Sequence, residues 1–193
     1  PPDQQPEYLF DLPELQFPSQ LNCATELLDR AIDKGWGERV CIQAPGVRWT
    51  YADLQAQANR IANVLVQDMG LVPGNRVLLR APNNPMLVAS WFAVMKAGGI
   101  AVATMPLLRA KEIRQMVAKG EVTHALCDMR LADDLRAAAA EPDCAMLRSI
   151  RYFNTAPGGA PEQSLEAAMA RHSTTFTNVD TAADDTCILA FTS

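Results

Sequence analysis

Along this chain the apolar positions switch repeatedly between helical spacing and short unbroken runs, and each switch marks an element boundary. Asn22 precedes Ala24, Leu27, Leu28, Ala31 and Ile32, a stripe that predicts a helix to about Lys34 with Trp36 closing it. Val40 to Gln43 and Val47 to Thr50 flank Ala44-Pro45-Gly46, a turn signal that predicts a hairpin. Thr50 and Asp53 have the spacing of a capping box, and the helix they open carries Leu54, Ala58, Ile61, Ala62, Leu65 and Met69 on one stripe before Gly70 stops it.

From Arg76 onward the runs alternate. Arg76 to Ala81 reads as a strand, Pro82-Asn83-Asn84-Pro85 as a turn with proline in a helix's first turn, and Met86 to Ala97 as a strongly apolar helix. Gly98-Gly99 ends that helix, Ile100 to Thr104 is a strand, and Pro106 breaks it. The pattern continues as helix (Ala110 to Lys119), strand (Thr123 to Cys127), helix (Leu131 to Ala140), strand (Leu147 to Phe153) and a short helix near Ser164 to Arg171. Gly158 and Gly159, flanked by prolines, mark a surface loop, and Cys187 to Ser193 reads as a buried strand. Strands separated by helices of this length imply right-handed crossovers and a mostly parallel sheet covered on both faces, so the expected class is α/β. Residues 1–20, with Pro1, Pro2, Pro6, Pro13 and Pro18 among scattered aromatic and apolar side chains, form an extended arm; residues 21–193 form the α/β unit.

Composition narrows the function classes. The 193 residues carry 17 basic and 22 acidic side chains, a formal charge of -5 without long runs of one sign, which argues against a nucleic-acid surface. No apolar stretch is long enough for a membrane span, and the acidic, Pro-rich start lacks the regions of a signal peptide, so a soluble cytoplasmic protein is expected. Five cysteines, Cys23, Cys41, Cys127, Cys144 and Cys187, occur without a C-x-x-C pair or a histidine pair to complete a zinc site. Reduced thiols follow, with Cys41, Cys127 and Cys187 as buried hydrophobes in strands rather than nucleophiles. His124 and His172 read as capping or surface groups, because no serine or cysteine constellation points to either.

Five blocks in order carry a resemblance: Trp49-Thr-Tyr-Ala-Asp-Leu54, Gly74-Asn-Arg-Val-Leu-Leu79, Pro82-Asn-Asn-Pro85, the run from Met95 to Pro106, and Leu189-Ala-Phe-Thr-Ser193. From about residue 20 onward the chain resembles the N-terminal region of adenylate-forming acid-CoA ligases, closest to the 2-aminobenzoate and benzoate type. The resemblance implies a two-step reaction in which a carboxylic acid attacks Mg-ATP to give an acyl-adenylate, after which the thiol of CoA displaces AMP. It also implies that Thr192 and Ser193 open the family's Ser/Thr/Gly-rich phosphate loop, whose glycines and lysine do not occur in this chain. A hydrogen bond to a charged group contributes about 1.5–3 kcal/mol, so two hydroxyls supply at most about 6 against an association cost of about 4–15. Tight binding of ATP, Mg2+ or CoA, and catalysis, are therefore not expected of this chain alone.

Each remaining block has a plain structural reading. Lys96, at a helix's carboxyl end, favours the dipole and the last carbonyls over a phosphate. Gly98-Gly99 precedes a strand, the reverse of a dinucleotide fingerprint, and so reads as a helix stop. Trp49 and Tyr51 are packing anchors, and Arg109 is a surface arginine that in an intact enzyme can face a CoA phosphate. Two other classes stay open: a self-contained flavodoxin-like binding or regulatory module, and an interaction domain assembling through a sheet edge or apolar face. Among ligases, a medium-chain fatty acid remains an alternative substrate.

Overall fold

The computed structural model describes residues 9–155 and 163–191. A short helix, α1 (Arg30–Asp33), continues a wider turn over Thr25–Asp29, and Asn22 starts it by accepting from the Ala24 amide at 3.0 Å. Gly35 takes φ +77°, and the Trp36 amide closes the helix on the Ala31 carbonyl at 3.0 Å. Strands β1 (Val40–Ala44) and β2 (Val47–Thr50) form the expected antiparallel hairpin. Helix α2 (Tyr51–Asn63) opens on the capping box, with Thr50 Oγ1 accepting from the Asp53 amide at 3.1 Å and Asp53 accepting from the Thr50 amide at 2.9 Å. Its last stretch widens over Val64–Asp68, a change of pitch that the apolar stripe does not reveal.

The main sheet contains β3 (Arg76–Arg80), β4 (Ile100–Thr104), β5 (His124–Asp128) and β6 (Ser149–Phe153), all parallel, in the order β4-β3-β5-β6. Helices α3 (Pro85–Lys96), α4 (Ala110–Lys119) and α5 (Ala132–Ala139) make the crossovers, and α6 (Leu165–Met169) follows β6. Alternate side chains on each strand face opposite layers. Val77, Leu79, Ala101, Leu126 and Phe153 pack with α2, α3 and α6; Leu78, Val102, Ala125, Cys127 and Tyr152 pack with α4 and α5. This is why the strands read as continuous apolar runs: both sides are buried.

The terminal run departs from expectation. Residues 187–191 lie beside β4 through one parallel bridge, Ala101 to Ile188, and are not a buried strand: Ile188 is 47% exposed and Cys187 half-buried. The segment occupies the outer edge of β4, where Leu189 and Phe191 pack toward the α4 layer and Ile188 borders a groove with Leu27 and Trp91. The arm, from residue 9, is exposed and includes a single 3-10 turn at Pro13–Leu15; it rejoins the body where the Leu21 amide meets the Thr181 carbonyl at 2.8 Å. The loop expected at Gly158-Gly159 lies outside the described residues. Among those residues, no helix is long and apolar enough to cross a membrane.

Candidate functional site at the carboxyl edge of the sheet

The strand order forces the chain to leave β3 toward β4 and then return past β3 to β5. That reversal makes the carboxyl edge around β3 a topological switch point, the place where open α/β sheets take ligands. Two buried charges organise it. Arg80, the last residue of β3, is fully buried and donates to the carbonyls of Leu131 (3.2 Å), Met105 (3.3 Å) and Leu108 (2.8 Å), with Asp134 at 3.7 Å. Burial lowers its pKa, while nearby Cys127 and Asp134 oppose that shift. A single guanidinium thus fastens the loop after β4 to the loop after β5.

Asp128, the last residue of β5, is likewise fully buried. It accepts from Asn84 Nδ2 (3.1 Å), Asn154 Nδ2 (2.7 Å), the Arg130 guanidinium (2.9 and 2.8 Å) and the Arg130 amide (3.0 Å). Burial by itself would raise the carboxyl pKa; the hydrogen bonds from Arg130 and Asn154 outweigh it and hold the group below its ordinary value. Asn84 also caps α3, its Oδ1 accepting from the Leu87 amide at 2.9 Å. Asn154 turns through φ 55°, a left-handed position that asparagine tolerates. The carboxylate therefore joins the turns after β3, β5 and β6.

Over this floor Met105 and Leu107 are 62% and 80% exposed, and Arg109 is 81% exposed, within 3.4 Å of Asp134. Arg109 thus sits at the surface as expected. The arrangement sets loop positions but carries no nucleophile paired with a base. Nor do its described residues fit a magnesium-triphosphate group: Arg80 is engaged by carbonyls, Arg130 by Asp128 and Arg109 by Asp134, and the described residues contain no cluster of metal-ligating side chains. Thr192 and Ser193 lie outside the described residues. Residues 187–191 run in the same sense as β4, toward this edge.

The other candidates are elsewhere. α3 runs back along the sheet, so Lys96 is at the opposite edge, 1% exposed, with Nζ 2.6 Å from both Asp29 carboxylate oxygens and 3.2 Å from Asn178 Oδ1. Its role is structural, as expected, but the partner is a distant carboxylate rather than a helix-end carbonyl. Gly98 ends α3 at φ +70°, where an added Cβ would come within 3.0 Å of Val179. Trp49 and Tyr51 pack against the core. His124 is buried and caps the end of the α2 extension through the Met69 carbonyl at 3.1 Å; His172 meets Asp68 at 2.9 Å. Cys127 is buried, and burial pushes its thiol up to about 12, while Cys41 is half-buried.

Sequence reasoning passed over Arg80 and Asp128, although each is visible as a charge ending an apolar strand, after Val77-Leu78-Leu79 and Ala125-Leu126-Cys127.

A family model described as AMP-binding enzyme matches residues 28–193. The chain belongs to this family. Its similarity to the benzoate–CoA ligase of Thauera aromatica is 25% identity over 181 residues, covering 94% of this chain and 33% of the relative. Triostin synthetase I of Streptomyces triostinicus is 37% identical over 105 residues, which cover 54% of this chain and 20% of that protein. Among solved structures, the anthranilate CoA ligase AuaEII in complex with anthranoyl-AMP superposes with a TM-score of 0.83 at 21% identity, covering 92% of this chain and 33% of that one. This match shows the shared fold. The chain spans a third or less of the length of these relatives.

Proposed function

We propose that residues 21–193 are the N-terminal scaffold of an acid-CoA ligase, with residues 1–20 as an arm upon it. The parent protein converts a carboxylic acid, ATP and CoA into an acyl-CoA, AMP and pyrophosphate, with Mg2+ accompanying the nucleotide. An aromatic acid of the benzoate or 2-aminobenzoate type is its substrate. The observation that carries this reading is the family match over residues 28–193 together with alignment to a benzoate–CoA ligase over 94% of the chain.

In this reading the chain supplies framework. Arg80 and Asp128 hold the loops at the carboxyl edge, and Thr192 and Ser193 contribute the first two hydroxyls of a phosphate loop. Catalysis of this class depends on charge neutralisation and positioning, and the described cations of this edge are already engaged by protein groups. The chain alone is accordingly inactive.

The test is to read the coding frame past Ser193 and screen the full-length enzyme for acyl-CoA formation with benzoate, 2-aminobenzoate and medium-chain fatty acids. A Gly/Thr-rich stretch with a lysine directly after Ser193, and highest turnover with an aromatic acid, support the proposal. Preference for the fatty acid removes the aromatic assignment. A stop codon at that position removes the ligase reading in favour of a self-contained module.

A further inference from the structure

Cys23 and Cys187 are 164 positions apart in sequence, yet their sulfurs are 3.8 Å apart. The other three thiols face carbonyls instead: Cys41 meets Trp49 at 3.7 Å, Cys127 meets Asp128 at 3.2 Å and Cys144 meets Arg114 at 3.6 Å. Cys127 and Cys144 are buried; Cys23 and Cys187 are only partly covered. Both border an apolar groove of about 370 Å³ with Leu27, Trp91 and Ile188, of which Leu27 and Ile188 are 65% and 47% exposed. A small oxidant therefore has a route to this pair that the two buried thiols lack.

We infer that Cys23 and Cys187 are a redox-sensitive pair that closes to a reversible intramolecular disulfide by exchange with a small-molecule disulfide such as oxidised glutathione. One protein thiolate attacks the small disulfide, forming a mixed disulfide and releasing one glutathione thiolate. The second protein thiolate then attacks the protein sulfur of that mixed disulfide and releases the other glutathione. The two cysteines lose two electrons and two protons, and the small disulfide becomes two thiols.

Bonding requires the sulfurs to close from 3.8 Å to about 2.05 Å. The half-exposed segment around Cys187, held to β4 by a single bridge, is the element that can yield. Burial first, and then the neighbouring Cys187, raise the pKa of the Cys23 thiol, so exchange accelerates as pH rises. Once formed, the bond fixes the start of the first helix to the segment that runs toward the carboxyl edge. It converts a one-bridge contact into a covalent clasp.

The test is to incubate the chain with oxidised and reduced glutathione at several ratios, alkylate the remaining thiols, and map peptides by mass spectrometry. The expected product links the Cys23 and Cys187 peptides, is reversed by dithiothreitol, and is absent from C23S and C187S but retained in C144S. Oxidation raises the thermal midpoint by roughly 5–15 °C, because the bond closes a very long loop in the unfolded chain. The inference is overturned by persistent glutathione adducts at either cysteine, by links to another cysteine, by disulfide-linked dimers, or by an oxidised chain that melts no higher than the reduced one. The peptide map of the unsubstituted chain decides the pairing even where a variant folds poorly.

Discussion

Replacing Asp29 with alanine probes the buried ion pair that ties the first helix to the end of α3. Lys96 is 1% exposed and points its ammonium at both Asp29 oxygens, each at 2.6 Å. Asn178 donates to the same carboxylate at 2.6 Å and Gln55 at 2.7 Å, so one side chain satisfies three donors. Removing it leaves a buried cation with Asn178 Oδ1, at 3.2 Å, as its acceptor. Breaking such a pair costs about 3–5 kcal/mol, a large share of a domain stability of about 5–15 kcal/mol. D29A is expected to lower the urea midpoint accordingly, read by circular dichroism, with the slope m unchanged.

K96M is expected to cost less, because Asp29 is partly solvated and keeps its amide donors. The double variant is expected to recover about 1–3 kcal/mol relative to additivity. The pH dependence gives an independent check. Burial lowers the Lys96 pKa and the Asp29 contact opposes that fall. Without Asp29 the folded-state pKa drops further below the unfolded value. The unfolded chain then binds the extra proton, and stability rises with pH between the two values. The D29A deficit is thus largest near neutral pH and shrinks as pH rises toward the ordinary lysine range. A D29A deficit below about 1 kcal/mol, or one that grows with pH, would refute the reasoning.

Other substitutions test the framework at separate points. Thr50→Ala removes the capping box of α2 and is expected to cost about 1 kcal/mol, a fall of roughly 2–4 °C in the thermal midpoint. Gly98→Ala combines φ +70° with a Cβ 3.0 Å from Val179, whereas Gly35 has φ +77° with open space around it. Both alanine variants are destabilised in chemical denaturation, and the excess for Gly98→Ala measures the packing conflict. Burial lowers the pKa of His124. Its folded-state value lies below the unfolded one, so its contribution is present above pH of about 6.5 and is lost as pH falls toward the folded value. His124→Gln is expected to flatten the stability profile in that window.

The parallel sheet was legible because its strands are buried on both faces and separated by glycines, prolines and caps. Thr50 with Asp53, Pro85 and Gly98 each mark a helix end by a local mechanism that long-range packing leaves intact. Long-range pairing was not legible. The Asp29–Lys96 ion pair spans 67 positions and the Cys23–Cys187 contact 164, distances over which periodicity carries no information. The terminal run misled for a related reason: apolar composition establishes that a segment can be covered, whereas Ile188 stands at the outer edge of β4 with 47% of its surface exposed. At the candidate site, Arg80 and Asp128 were readable as charges closing apolar strands. Their meaning emerged only when the strand order brought two loops onto Arg80 and three turns onto Asp128.

The most direct test of the scaffold reading is carboxylate-dependent exchange of labelled pyrophosphate into ATP, measured side by side for the full-length protein and for the 193-residue chain. The expected result is exchange stimulated by benzoate or 2-aminobenzoate with the full-length protein and none with the chain. Robust exchange by the pure chain, or a full-length protein inert with every carboxylic acid, would contradict it.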